Sequence, residues 1–264
     1  MEKVKLLFIV PAHEDNECLL DTINNVIQYN PDVECHFVIH ITQSFKNFND
    51  NLFDNYSNVY VTKHLDNRRG IKYESQLESL IKSYTYAKTK VSDFEYVKIF
   101  HTSELFVKYG FYDYIKNYDF SYKGPEGEEP LPQRYHPIIE LAAFRHVLKD
   151  YQNPDSYRYQ MVEAGFYSKF VFDDIESTIY NDLTVSVDKL NSYFNYTPIE
   201  EIVIPTLSIS AKNFFNLKQG KNVLNFPIDT NDFTMLPHQF TVKSVPRDIN
   251  HPLRVKVRGD NKTV

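Results

Sequence analysis

Side chains able to bind or titrate a ligand gather where apolar runs of the chain end. PAHEDN (11–16) closes the run VKLLFIV, His40 and Thr42 close FVIHIT, and HTSE (101–104) closes FEYVKIF. His13, Asp15, His101, Ser103 and Glu104 are the titratable or polar groups there. One polar residue at a strand tip commonly caps the next helix or turn. Several at one sheet edge are what a ligand site in an open α/β sheet requires, because ligands bind outside the carboxyl ends of the strands. A divalent metal held against a diphosphate calls for paired carboxylates, yet no Asp-x-Asp occurs in the sequence. Asp93 and Glu95 precede a strand rather than follow it, and Glu126 and Glu128 lie in a proline-rich loop where a solvated charge run is the simpler reading. His101 with Glu104 supplies only two metal ligands, so Mn²⁺ is an alternative rather than the expectation. Without a metal, a diphosphate needs fixed cations, and Lys243, Arg247, Arg254, Lys256 and Arg258 stand available near the C-terminus. The competing reading of those five is a solvated basic tail.

The elements that must position these residues follow from periodicity. VKLLFIV (4–10) is a continuous apolar run bounded by Pro11, the pattern of a strand buried on both faces. Leu19, Leu20, Ile23, Val26 and Ile27 recur at helical spacing over 16–29, with Asp15 or Asn16 as N-cap. Strands are predicted at 34–42, 57–63 and 94–102, a helix at 73–90 and a short helix at 110–118. This order predicts an α/β domain with a mostly parallel central sheet flanked by helices. Residues 121–137 read as a surface loop with four prolines, 137–151 as a helix, and 160–181 as a tight segment around Gly165 running into a helix. EEIVIPTLSIS (200–210) is apolar but interrupted by Pro205, so its periodicity leaves helix and strand both open. HQFTVKSVPRD (238–248) reads as a strand. With no repeat or linker, residues 1–264 form one expected domain, 1–120 its binding half and 121–264 its second half with a basic tail.

Composition narrows the function. The formal charge of −6 and pI near 5.9 argue against a nucleic-acid binder. Two cysteines, Cys18 and Cys35, make no disulfide framework, and a reducing, cytoplasmic compartment is the expectation. LLFIV is too short for a signal-peptide core and no apolar stretch approaches the roughly 20 residues of a membrane span. Twenty Tyr and 20 Phe suit both a large-side-chain core and polar-edged clefts for sugars or nucleotides. Seven glycines, with no GxGxxG and no GxxxxGK[ST], leave dinucleotide and P-loop readings unsupported.

The order of short motifs resembles the core-2/I-branching β-1,6-N-acetylglucosaminyltransferases and their xylosyltransferase relatives. The likeness runs through FIVPAHEDNECLLDTI, FVIHIT (37–42), NRRGIKYESQLESLIKSY (67–84), YVKIFHTSELFV (96–107), TPIEEIVIPTL (197–207) and FTVKSVPRD (240–248). Departures are visible: Ile71-Lys72-Tyr73 stands where that family often has Trp-Gly-Gly, and Thr102-Ser103-Glu104 replaces a Ser-Gly-x-Asp tip. The resemblance implies a GT-A-like, Rossmann-like nucleotide-sugar-binding domain and an inverting, metal-independent glycosyltransferase without a cofactor. It implies a UDP-sugar donor such as UDP-GlcNAc or UDP-xylose and a saccharide acceptor. Glu201 then matches the catalytic base, with Glu200 as its fallback, and Lys243 and Arg247 match the diphosphate cations. Pro11, His13 and Asp15 would border the nucleotide, Arg68 and Arg69 would meet phosphate or ribose, and His101, Ser103 and Glu104 would face the donor or acceptor. Two rival readings are a metal-dependent, retaining transferase using His101 and Glu104, and a non-catalytic nucleotide- or carbohydrate-binding protein.

Overall fold

Four hydrophobic strands lie parallel at the centre of the molecule: β1 (Lys5–Ala12), β2 (Glu34–Ile41), β3 (Val59–Lys63) and β4 (Phe94–Ile99), in the order β3-β2-β1-β4. The computed structural model describes residues 2–13, 15–63, 76–122, 158–183, 199–225 and 235–259. Arg68, Arg69, Glu126, Glu128, residues 123–137 of the expected loop and the helix expected at 137–151 fall outside them.

Successive side chains of a strand point to opposite faces. Leu7 and Ile9 therefore join one core cluster while Leu6, Phe8 and Val10 join the other. That two-sided burial is why the strand reads as an unbroken apolar run. One face is covered by α1 (Asn16–Tyr29) and the short α3 (Phe111–Ile115). The other is covered by α2 (Leu77–Lys90), α4 (Lys169–Leu183) and α5 (Glu200–Phe215). The segment EEIVIPTLSIS is thus helical, with Pro205 inside α5. Among the described residues no helix is long and apolar enough to cross a membrane.

Six two-residue strands complete the sheets: β5 (Leu105–Phe106), β6 (Phe120–Ser121), β7 (Tyr167–Ser168), β8 (Gln219–Gly220), β9 (Leu224–Asn225) and β10 (Thr241–Val242). The central sheet continues β4-β7-β6-β8, with β7 antiparallel to both neighbours, and β5-β10-β9 form a small second sheet. The result is the expected α/β architecture with a seven-stranded, mostly parallel sheet.

Two expectations for the C-terminal region need correction. The strand expected over 238–248 shrinks to Thr241–Val242, because Ser244 takes a left-handed φ of 65° and Pro246 cannot donate to a ladder. Residues Pro252–Gly259 of the basic tail form α6, and Arg254 on it is 0% exposed rather than solvated.

Candidate functional site

The strand order reverses beside β1. The connection through α1 leads to β2 and then β3 on one side, whereas the connection through α2 returns to β4 on the other. Ligand crevices of open α/β sheets form at such a switch point, outside the carboxyl ends of the two strands. His13 follows β1 and His101 follows β4, so both strand-tip histidines stand at that crevice.

The cations arrive from the C-terminal segment. Val245 N–H donates to the Ser103 carbonyl at 3.0 Å, which fixes residues 243–247 against the β4 tip. Arg247 then reaches across the crevice, its Nε 3.3 Å from Thr102 Oγ1 and its NH2 nitrogen 3.1 Å from His13 Nε2. Lys243 places Nζ 2.5 Å from Glu163 Oε1, and His101 Nε2 lies 3.2 Å from that same oxygen. Glu163 sits on a 3-10 turn, Val162–Ala164. Gly165 ends the turn where a Cβ would lie 2.5 Å from the Tyr167 hydroxyl, so only glycine fits without displacing that ring.

Burial dominates the electrostatics. It pushes the His101 imidazole down to about 3, helped by the charges of Lys243, His13 and Arg247 and opposed by Glu163. At neutral pH His101 is uncharged. Burial alone would push Glu163 up; its cationic neighbours oppose this and draw the carboxyl below the usual carboxylate range. With the imidazole neutral, the Lys243 ammonium is the charge that keeps Glu163 ionised.

Several residues chosen from the sequence take other roles. Glu104 cannot face a ligand: it is 0% exposed, with Oε1 3.0 Å from Nζ of the equally buried Lys98. Burial pushes the Glu104 carboxyl up and the Lys98 ammonium down. Asp15 caps α1, accepting from the N–H groups of Glu17 and Cys18 at 2.9 and 3.0 Å. Pro11 is buried within β1 opposite His40 of β2, which is itself 1% exposed, so neither is a strand-tip contact. Arg254 clasps Asp21 rather than the crevice. Ser103 keeps partial exposure, and its carbonyl anchors the C-terminal segment.

Glu200 and Glu201 open α5 and are both buried. Glu200 Oε2 accepts from the N–H of Gln76, just ahead of α2, at 3.0 Å. The Glu201 carbonyl accepts from Gln160 N–H at 2.9 Å, three residues before Glu163. A backbone link thus joins the start of α5 to the turn carrying Glu163.

Sequence reasoning missed Glu163 and Lys98. Each left a signal: Lys98 is a charge in the middle of the strand FEYVKI, and Glu163 is a lone acid in the apolar run MVEAGF. Charges at such positions are almost never buried unless paired. Among the described residues no group of three or more His, Cys, Asp and Glu side chains gathers as metal ligands. His101 turns to Glu163 and Glu104 to Lys98, so the two do not share a coordination point.

No family model and no curated protein matches the chain. Among solved structures it is similar to the crystal structure of an active-site mutant of LgtC, with a TM-score of 0.48 and 10% identity over 99% of this chain and 97% of that one.

Proposed function

We propose that the chain is an inverting glycosyltransferase that binds a nucleotide sugar, favoured as a UDP-sugar, in the crevice between the carboxyl ends of β1 and β4. The observation that carries this reading is the convergence of Lys243 and Arg247 on His13 and His101, from more than two hundred residues away in sequence for His13. Two fixed cations at a switch point suit a leaving diphosphate: its charge grows as the glycosidic bond breaks, and preorganised donors stabilise it without reorganising. Lys243 would exchange part of its contact with Glu163 for a phosphate oxygen, while the planar guanidinium of Arg247 can fork across two.

Glu201, or Glu200 one residue earlier, serves as general base in this reading. It takes the proton of the acceptor hydroxyl as that oxygen attacks the anomeric carbon, and the bond to the diphosphate breaks on the opposite face. Glu201 is the first choice because it is the residue that the motif resemblance matches to the base. UDP-GlcNAc and UDP-xylose are the donors to try first, since they belong to the family whose motifs the sequence resembles, and a saccharide is the acceptor. The reaction proceeds without a divalent metal, Lys243 and Arg247 supplying its charge.

A thermal-shift screen with UDP, UDP-GlcNAc and UDP-xylose, in EDTA and in Mn²⁺, tests the reading. A ligand that binds only the native state raises the melting temperature, and the expected result is a rise with UDP compounds that EDTA does not abolish. Glu201→Gln should keep that rise while sugar transfer falls about 10²- to 10⁴-fold, the usual worth of a general base. Transfer at the wild-type rate in Glu201→Gln removes the base assignment; a rise only with Mn²⁺ removes the metal-free reaction.

A further inference from the structure

Arg247 crosses the crevice on hydrogen bonds to Thr102 and His13, and their chemistry fixes more than its position. A guanidinium has donors only, five N–H groups in a rigid planar fork. His13 Nε2, 3.1 Å from the NH2 nitrogen, therefore accepts, and the imidazole is neutral with its proton on Nδ1. Thr102 Oγ1 accepts from Nε at 3.3 Å. Nε and NH2 form one edge of the fork, so Thr102 and His13 together hold the guanidinium side-on. Thr102 is a firm anchor: it is fully buried, and its carbonyl accepts from Arg254 at 3.1 Å. His13 stands half-buried just past the end of β1.

The two anchors thus come from the tips of β1 and β4, the strands that border the crevice. We propose that His13 is a positioning residue: as a neutral Nδ1–H imidazole it fixes Arg247 side-on against Thr102, which turns the opposite NH1–NH2 edge to an anionic ligand for bidentate capture of a phosphate. Such forked contacts are the geometry in which arginine binds phosphate most strongly. A long side chain held in advance loses less freedom when the ligand arrives, and affinity gains by that preorganisation. Charged and titratable groups near the ring come from three directions. Arg247 and Lys243 lie on the C-terminal segment, and His101 follows β4, with Glu163 beyond it. Asp15, on the turn of His13 itself, is committed to capping α1, and Glu14 falls outside the described residues. Burial holds His101 neutral, so Arg247 is the cation in contact with His13. That the anion is the diphosphate of a nucleotide sugar rests on the transferase reading above; the anchoring of Arg247 does not.

Two measurements on the full chain test the two halves. In the free protein, ring NMR signals of His13 are identified by their loss in His13→Gln. They should show the Nδ1–H tautomer at about pH 8, the opposite of the form a solvated imidazole favours. The His13 titration midpoint should rise by about one unit in Arg247→Met, because a neighbouring cation disfavours a second one. An Nε2–H tautomer, or a midpoint that Arg247→Met leaves in place, overturns the anchoring. Titration with UDP and with inorganic pyrophosphate reads the other half. Glutamine carries an amide oxygen near the place of Nε2, whereas leucine carries no acceptor. His13→Leu should weaken binding about tenfold, the worth of one hydrogen bond to a charged group, and His13→Gln by less. In an Arg247→Met background the leucine change should cost less than about twofold, since residues that act through one another do not add. Equal losses in the glutamine and leucine variants, or a leucine loss that persists in full without Arg247, overturn the positioning role. If pyrophosphate shows this pattern and UDP does not bind, the nucleotide-sugar reading falls while the positioning of Arg247 stands. If neither binds the wild type, the positioning role is overturned as well.

Discussion

Two ionisable groups placed where water does not reach are the costliest choices in this sequence. Lys98 and Glu104 are 2% and 0% exposed, and Lys98 Nζ lies 3.0 Å from Glu104 Oε1 beneath the β4 tip. Lys98 Nζ also donates to the carbonyls of Ile99 and Glu163 and lies 5.3 Å from the Phe100 ring centroid. A buried pair of this kind adds little net stability, because desolvating both ions offsets their attraction, but removing one partner strands the other. Lys98→Met should therefore destabilise the fold by about 3–5 kcal/mol in urea unfolding, by leaving Glu104 an uncompensated buried acid. The double variant Lys98→Met/Glu104→Leu should sit closer to wild type than the single one does. A single-variant loss below about 1 kcal/mol, the range of an exposed pair, would show that Glu104 finds water or a proton without strain. The pair also explains why a glutamate in a strand-tip motif is not a ligand contact here. Lys98, on β4 six residues earlier, has already claimed it.

At the scale of elements, Pro205 links helix to site. A proline inside a helix cannot donate to the carbonyl four residues back, which for Pro205 is the carbonyl of Glu201. That carbonyl instead accepts from Gln160 N–H, tying α5 to the strand of chain that leads into the Glu163 turn. Pro205→Ala would restore a helical donor to compete for Glu201. The expected outcome is a modest gain in stability, under the ~3 kcal/mol by which alanine exceeds proline in a helix interior. Amide exchange at Gln160 should accelerate about three- to tenfold, matching the ~0.5–1.5 kcal/mol of one backbone hydrogen bond. Unchanged exchange at Gln160 sinks the linkage. The same proline made this segment illegible in sequence, since a helix buried on every side over 200–208 and carrying a break has neither a clean 3.6 nor a clean 2.0 period. By contrast β1, β2, β4, α1 and α2 were legible, because two-sided burial gives continuous runs and one-sided burial gives regular stripes. The two-residue strands β5 to β10 carry no local pattern; tertiary pairing alone defines them. For the site, the strand-tip rule picked His13 and His101 and the motif resemblance picked Lys243 and Arg247, all four of which the fold brings together. Glu163 escaped because a single acid on a one-turn element has no spacing to read.

For the whole molecule the decisive contact joins the two ends of the sequence. Arg254 on α6 is 0% exposed, and each of its three guanidinium nitrogens is engaged. Nε donates to Asp21 Oδ2 at 2.6 Å, NH1 to the carbonyls of Thr102 and Pro246 at 3.1 Å, and NH2 to Thr22 Oγ1 at 3.0 Å and the Cys18 carbonyl at 3.4 Å. One side chain thereby pins α6 to α1, to the β4 tip and to the segment carrying Lys243 and Arg247. Arg254→Lys cannot reproduce the fork, since an ammonium is a single point with three donors. Both Arg254→Lys and Arg254→Met should cost about 3–5 kcal/mol, the range for breaking a buried ion pair. The informative readout is positional. Trypsin cleaves after basic residues, and Lys243 and Arg247 lie in the strap that Arg254 holds down. Digestion well below the melting temperature should cut there far sooner in Arg254→Met than in the wild type, with no matching acceleration elsewhere. UDP binding, if present in the wild type, should fall in the same variant, although Arg254 is too deeply buried to touch a ligand. A variant that loses stability yet keeps the strap protected would confine Arg254 to the fold and leave the strap to its backbone bonds, Val245 to Ser103 and Lys243 to Asn225 among them.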